Sequence, residues 1–296
     1  MFKSGFISIV GKPNAGKSTL INKLMGEKIA IVSSKPQTTR TKITGVYTDE
    51  EAQLVFVDTP GMHNARNKLG EFMNREVKLA ASDVDVILYL VDITAKDKSS
   101  NSELIEMLPV GGATVFLVIN KIDLAAKEDV LPVISQLKGL YNFAEIVPLS
   151  AQKGTGVESL ISEIKKYMPE GPKYFPDDTL TDQPERVIVA EIIREKLFRL
   201  LNDEIPFGTA VELEKMTYDE DRDITEISAV IYCEKASHKG MIIGKGGAML
   251  KRIGTEARRD IERLVDGKVF LKMWVKVEDD WRNKNSAIKN LGYVAD

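Results

Sequence analysis

Gly11-Lys12-Pro13-Asn14-Ala15-Gly16-Lys17-Ser18 decides the fold of the first half of this 296-residue chain. The stretch fits G-x-x-x-x-G-K-[ST], a glycine-rich loop whose backbone N–H groups cradle phosphates. Residues 6–10 before it (FISIV) read as a buried strand. Ser18, Thr19, Leu20, Ile21, Asn22, Lys23 and Leu24 after it read as a helix opening. Glycines let the backbone curl until successive N–H groups point at phosphate oxygens, and the helix N-terminus adds partial positive charge. Lys17 is placed to reach the β- and γ-phosphates, and the Ser18 hydroxyl to ligate Mg²⁺. These residues imply a nucleoside triphosphate site.

Outward from that loop, apolar runs at 6–10, 54–57, 86–91, 115–119 and 146–149 alternate with helical patterns. Near-continuous hydrophobicity marks strands buried on both faces, and the alternation predicts an α/β domain over 1–168 with a mostly parallel sheet. Pro169, Gly171, Pro172, Pro176, Asp177, Asp178 and Pro184 then interrupt the pattern, so 169–186 read as a linker or strap. From 187 to 296 the order α-β-β-α-α-β predicts a smaller α+β domain. It has strand-like runs at 209–216, 224–233 and 269–277, and a short helix that ends in Gly244-Lys245-Gly246-Gly247.

Composition sets bounds. The formal net charge is −3 with 29% charged residues, which excludes an extended basic tail. Cys233 is the one cysteine, so no internal disulfide or cysteine-based metal site is expected, and its strand-like setting predicts a small buried side chain. The first strand begins almost at once, so no signal peptide is expected. No apolar run reaches the ~18–20 residues of a membrane span. A reducing, cytoplasmic setting is expected.

Asn120-Lys121-Ile122-Asp123 follows directly on the run 115–119. Guanine presents N1–H and N2–H₂ as adjacent donors, and the Asp123 carboxylate can accept both. Adenine has no amino group at C2 and an acceptor at N1. Hydrogen bonds to charged groups contribute roughly 1.5–3 kcal/mol each, enough for about a hundredfold preference. The tetrapeptide stands about sixty residues after Asp58-Thr59-Pro60-Gly61 and about thirty before Ser150-Ala151, each at a strand end. Open α/β sheets bind ligands at that carboxyl edge.

The four elements together resemble those of the GTPases. The resemblance implies that Asp58 serves the Mg²⁺ site through water, that the Gly61 N–H senses the γ-phosphate, and that the Ala151 N–H meets guanine O6. Gln37-Thr38-Thr39-Arg40 resembles the first switch, whose threonine joins Mg²⁺ only when the γ-phosphate is present. Thr39 is favoured over Thr38, with both left open. Catalytic roles are thus expected of Lys17, Thr39 and Gly61. Residue 62 departs from the Ras-like pattern, which places a water-orienting glutamine there. Met62 cannot polarise water, so slow intrinsic hydrolysis is expected. Asn14 matches an asparagine that holds K⁺ in a related set of GTPases; closing its own turn is the alternative. His63 reads as a solvated loop residue.

Between 239 and 276 ten Lys/Arg stand against four Asp/Glu, a net of +6, which leaves −9 for the rest. A basic segment on an acidic protein is the footprint of a polyanion partner. Within it, Ile242-Ile243-Gly244-Lys245-Gly246-Gly247 carries the Gly-x-x-Gly loop of KH domains, which clamps about four nucleotides of single strand. Lys239, Lys245, Lys251 and Arg252 surround that loop, while His238 reads as a polar residue at a helix start.

The whole chain resembles the bacterial Era-type GTPases, which carry a C-terminal KH domain of type II. Besides the motifs above, the resemblance rests on Pro176-Asp177-Asp178, on Thr181-Asp182-Gln183-Pro184-Glu185-Arg186, on 239–259, and on the ending LKMWVKVEDDWR at 271–282. Lys12, Ala15 and Val187 depart mildly, where arginine, valine and phenylalanine are frequent. The resemblance implies a GTP/GDP switch that binds the 3′ end of 16S rRNA and acts in 30S subunit assembly. It further implies a monomer without DNA as a partner, cytoplasmic, with peripheral association at the inner membrane. A metabolic P-loop enzyme with a basic substrate domain is the main alternative, and Asn120 and Asp123 speak against it.

Overall fold

The computed structural model describes residues 1–33, 35–61, 65, 67–80, 83–95, 104–106, 108 and 112–293, with Lys78 by its backbone alone. Met62 and His63 lie outside the described residues. The chain divides into two compact units. One comprises Met1–Ala30, Thr39–Asn64 and Met73–Asp182; the other comprises Ile31–Thr38, Ala65–Phe72 and Gln183–Asp296.

In the first unit, β1 (Lys3–Gly11), β2 (Ile43–Thr48), β3 (Ala52–Asp58), β4 (Val86–Asp92), β5 (Thr114–Asn120) and β6 (Glu145–Pro148) form one sheet. Its order is β2-β3-β1-β4-β5-β6. Every neighbouring pair is parallel except β2–β3. The hydrophobic runs are nearly continuous because each face of the sheet has its own core. Ile7, Ile9, Leu54, Phe56, Leu88 and Phe116 join helices α1 (Lys17–Met25) and α4 (Val157–Tyr167) on one side. Val10, Ile87, Tyr89, Leu117 and Ile119 meet Val77 of α2 (Lys68–Ala80) and Val133 and Leu137 of α3 (Lys127–Lys138) on the other. The sequence reading left β2 unassigned, because its Ile-Thr-Gly-Val-Tyr-Thr lacks an apolar run. Gly45 there lets the strand approach α1: a Cβ would lie 3.0 Å from both Ile21 and Ile29.

Residues 169–182 are a strap bound to this same unit. Ser4 N–H donates to the Pro169 carbonyl (3.1 Å), and Val46 N–H donates to that of Leu180 (2.9 Å). Gln53, fully buried in β3, is the central clamp. Its Oε1 accepts Tyr174 N–H (2.6 Å) and Phe175 N–H (3.0 Å), while its Nε2 donates to the Phe175 carbonyl (2.9 Å). Proline-rich chain without its own ladder is thus fixed by side-chain amide bonds to a buried residue.

The second unit contains α5 (Glu185–Leu200), β7 (Ala210–Asp219), β8 (Ile224–Cys233), α6 (Ala236–Ile243), α7 (Ala248–Leu264) and β9 (Val269–Val277). This is the expected α-β-β-α-α-β order. A short α8 (Asn285–Asn290), which the sequence reading did not assign, follows. The sheet order is β7-β8-β9, antiparallel then parallel. Alternate residues Ile227, Ala229, Ile231 and Cys233 of β8 face Ile253, Ala257 and Ile261 of α7 in one core. Cys233 is a buried free thiol, as its strand setting suggested, and burial pushes its pKa up. Trp281 is fully buried, its Nε1–H donating to the Gly208 carbonyl (2.9 Å). Arg282 grips Glu234 with two bonds (2.9 and 2.6 Å).

Candidate functional site

Parallel register brings the predicted nucleotide residues to one edge. Ile9 of β1 is level with Asp58 of β3, and Asp92 of β4 with Asn120 of β5. β1 is the point from which the chain proceeds to one side at β3 and to the other at β4, the place where such sheets bind ligands. Gly11 ends β1, and Lys17 opens α1 with Ser18 and Thr19 in its first turn. Gly16 has a left-handed φ of 99°, and a Cβ there would lie 2.2 Å from Asn120 Nδ2. A second close approach is Gly61, where a Cβ would lie 2.8 Å from the Pro13 backbone.

The Lys17 ammonium is buried and donates to the carbonyls of Gly11 and Lys12, each at 3.2 Å. Burial lowers its pKa, against the opposing pull of Asp58. Burial likewise pushes the Asp58 carboxyl up, opposed mainly by Lys17. Asp58 Oδ2 accepts the Ser18 hydroxyl (2.7 Å), with Thr39 Oγ1 at 3.5 Å, and the two hydroxyls are 2.9 Å apart. Asp58 Oδ1 is buried without a hydrogen-bond partner among the described residues. Thr38 instead donates its hydroxyl to the Lys35 carbonyl (2.7 Å). Two hydroxyls gathered on one oxygen of a buried carboxylate form, with that carboxylate, a donor set suited to a small hard dication. Thr59 Oγ1 donates to the Ile9 carbonyl (2.9 Å), which seats Pro60 and Gly61 against β1.

Asn120 ties the base-side loops to the phosphate loop. Its Nδ2 donates to the Ala15 carbonyl (2.8 Å), and its Oδ1 accepts the N–H groups of Lys121 (2.8 Å) and Ala151 (2.9 Å). The Ala151 N–H, expected to meet guanine O6, is therefore engaged within the protein. Ser150 Oγ accepts the Lys153 N–H (3.1 Å). Asp123 is exposed in the 3₁₀ turn Ile122–Leu124. Asn14 has a left-handed φ of 64° in an exposed loop position. Sequence reading missed Asp92, whose carboxylate takes the Lys121 ammonium at 2.6 Å. Burial works against that carboxylate, yet Lys121 and Thr94 together hold its pKa below the ordinary range. Its signal was available: Asp92 ends β4 as Asp58 ends β3.

In the second unit, α6 stops at Gly244 (φ 73°), and Gly246 (φ 59°) and Gly247 (φ 80°) are left-handed before α7 starts. A Cβ on Gly246 or Gly247 would meet nothing within 4 Å, so the glycines keep an open approach to the N-terminus of α7. Lys239, Lys245 and Lys251 are exposed and hold no ion pair among the described residues, while Arg252 pairs with Glu256 (3.1 Å). Ile242 requires a correction as an expected RNA contact. It is 0% exposed, because the inner face of α6 points it into the core. Ile243 is half-buried against the same core. His238 is buried in the first turn of α6.

A family model described as "50S ribosome-binding GTPase" matches residues 6–121, and one described as "KH domain" matches 204–282. GTPase Era of Clostridioides difficile is 54% identical over 294 residues, covering 99% of both chains. GTPase Era of Geobacter metallireducens is 51% identical over 99% of this chain and 98% of its own. The chain belongs to the Era GTPase family. It is a GTPase with a C-terminal KH domain, and two solved Era structures share its fold over the full length. A variant of Aquifex aeolicus Era bound to GDP and AlF4⁻ superposes with a TM-score of 0.95 at 38% identity, over 99% of this chain and 100% of that one. An Era in complex with MgGDPNP and nucleotides 1506–1542 of 16S ribosomal RNA gives 0.96 at 38% identity over 100% of both. Among the described residues no helix is long and apolar enough to cross a membrane.

Proposed function

We propose that this chain is a GTP-driven switch whose KH domain grips the single-stranded 3′ end of 16S rRNA during 30S subunit assembly. The observation that carries this reading is the pairing of two glycine loops on one chain. One is a phosphate cradle between β1 and α1; the other is a Gly-x-x-Gly before α7, open at Gly246 and Gly247 and flanked by three lysines without an ion pair among the described residues. The match to an Era holding 16S rRNA nucleotides supports the choice of RNA. Nucleotide binding falls to 11–19, 58–61, Asn120, Lys121, Asp123, Ser150 and Ala151, within a GTP-binding domain assigned to 1–168. Lys239, Ile243, Gly244, Lys245, Gly246, Gly247, Lys251 and Arg252 form the RNA face of a KH domain assigned to 187–296.

Ser18, Asp58 and Thr39 are the residues that would hold Mg²⁺, which neutralises developing phosphate charge when bound. The proximity of the Thr39 hydroxyl to the Ser18 hydroxyl and the Asp58 carboxylate favours Thr39 over Thr38. Lys17, already desolvated, exchanges two backbone carbonyls for phosphate oxygens without reordering its burial. The Gly61 N–H follows the γ-phosphate from a position packed on Pro13. Asp123 remains open to accept guanine N1–H and N2–H₂. Met62 supplies no polarising group, so intrinsic turnover is slow, and K⁺ beside Asn14 is a candidate accelerator. We place the protein in the cytoplasm as a monomer, its association with the membrane being peripheral.

The test is equilibrium binding to an oligonucleotide of the 16S 3′ end and to its scrambled counterpart across salt. A preference for the true sequence, with a single-strand slope near −0.7 per phosphate contact, is expected. Equal binding of both, or no salt dependence, contradicts the proposal.

A further inference from the structure

Three consecutive charged residues of α5, Arg194, Glu195 and Lys196, are at most 3% exposed. A helix at a domain surface ordinarily buries one stripe. α5 buries its charged side as well, where Val32 bonds Glu195 and the Thr38 carbonyl bonds Arg194.

Each charge has its own use. Arg194 pairs with Glu191 (Nε to Oε1, 2.7 Å), lies over the Phe198 ring, and donates from Nη2 to the Thr38 carbonyl. Glu195 accepts the Val32 N–H on Oε1 (3.1 Å) and the Lys196 ammonium on Oε2 (2.6 Å). Lys196 also bonds Asp260 of α7, the helix that opens at the Gly-x-x-Gly loop. Val32 and Thr38 are therefore both held by α5, and the same chain of charges ends on the helix behind that loop. The residue after Thr38 is Thr39, whose hydroxyl meets Ser18.

Packing alone would be served as well by apolar side chains, and a buried charge stripped of its partner is strongly disfavoured. Such a cluster adds little net stability but selects one arrangement of the segment it holds. We infer that Arg194, Glu195 and Lys196 are positioning residues for the first switch. Arg194 holds the Thr38 carbonyl in the arrangement that presents the Thr39 hydroxyl to Ser18 and Asp58. The Lys196–Asp260 bond ties that arrangement to the helix behind the glycine loop. The inference rests on the switch reading above and supplies its route. Coupling requires an element whose two states both sites bias, and segment 31–38 is that element.

The experiment measures affinity of the full-length protein for the 16S 3′-end oligonucleotide with GDP and with a Mg²⁺-bound non-hydrolysable GTP analogue. Wild type and Arg194→Met are expected to bind equally with GDP, within about twofold. The ratio between the two nucleotide states is expected to shrink by about fivefold or more in the variant, a typical allosteric coupling factor. Arg194→Lys should recover part of it. A wild-type ratio of one defeats the switch reading, and the inference with it. A wild-type ratio that survives intact in folded Arg194→Met overturns the inference alone. Should that variant not fold, amide hydrogen exchange of the wild type decides. Val32, the segment around 194–196 and the start of α7 are expected to change protection together between the two nucleotide states. A change confined to 31–38 would overturn the inference.

Discussion

Asp58 illustrates how a candidate Mg²⁺-site residue is held against its own stability. It is fully buried with one oxygen unsatisfied, and burial raises its pKa while Lys17 only partly opposes this. A carboxyl whose folded value is raised favours folding at low pH and loses that contribution as pH climbs through the folded value. In nucleotide-free protein, Asp58→Asn is therefore expected to be neutral below the ordinary aspartate range of about 4. Above the raised value it should stabilise, by roughly 2–4 °C in Tm for each kcal/mol recovered. It should also abolish the Mg²⁺ dependence of GTP-analogue binding. Thermal unfolding against pH in chelator checks this; a variant less stable than wild type at neutral pH contradicts it. At this scale the motif residues were legible because their spacing is chemistry written in order. Asp92 carried the same strand-end signal as Asp58, but its partner shows only where it lies level with Asn120 across two parallel strands. Ile242 was misread because a sequence motif does not say which side of a short helix faces the core.

The glycine loop between α6 and α7 shows the same at the scale of elements. Gly244, at positive φ, ends one helix, left-handed Gly246 and Gly247 open the next, and no described atom lies within 4 Å of where a Gly246 Cβ would sit. An aspartate tolerates a φ near 60° better than most residues, so Gly246→Asp should leave Tm within a few degrees. It should weaken RNA binding by about tenfold or more, since it sets a carboxylate where phosphates must pass. GTPase turnover without RNA should be unchanged. A variant with wild-type RNA affinity would remove the loop from the interface. The strands of both units and the helices flanking both loops could be read from period and composition. β2 could not, because an edge strand carrying Thr and Gly has no hydrophobic signature and acquires its place from α1 and β3. The strap at 169–182 read as a break in pattern. Its order comes from one buried amide, Gln53, which local sequence does not connect to residues more than a hundred positions away.

For the molecule as a whole, the proposed function joins a slow timer to a single-strand clamp on one chain. Either loop alone describes a binding site; only a difference in free energy between nucleotide states makes them a switch. That difference must be reciprocal: if the GTP analogue tightens RNA binding by some factor, RNA must tighten analogue binding by the same factor. The buried charges of α5 bond Val32 and Thr38, and nothing in local sequence could reveal this. Arg194, Glu195 and Lys196 look like a solvated stretch until their partners at Val32, Thr38 and Asp260 are known. The most direct measurement closes this cycle by titration calorimetry on the wild-type protein. It determines RNA affinity with GDP and with the Mg²⁺-bound analogue, then both nucleotide affinities with and without RNA. The account predicts two matching ratios, each about fivefold or greater. Ratios of one on both sides would contradict it, leaving a GTPase and an RNA-binding domain that share a chain without sharing a state.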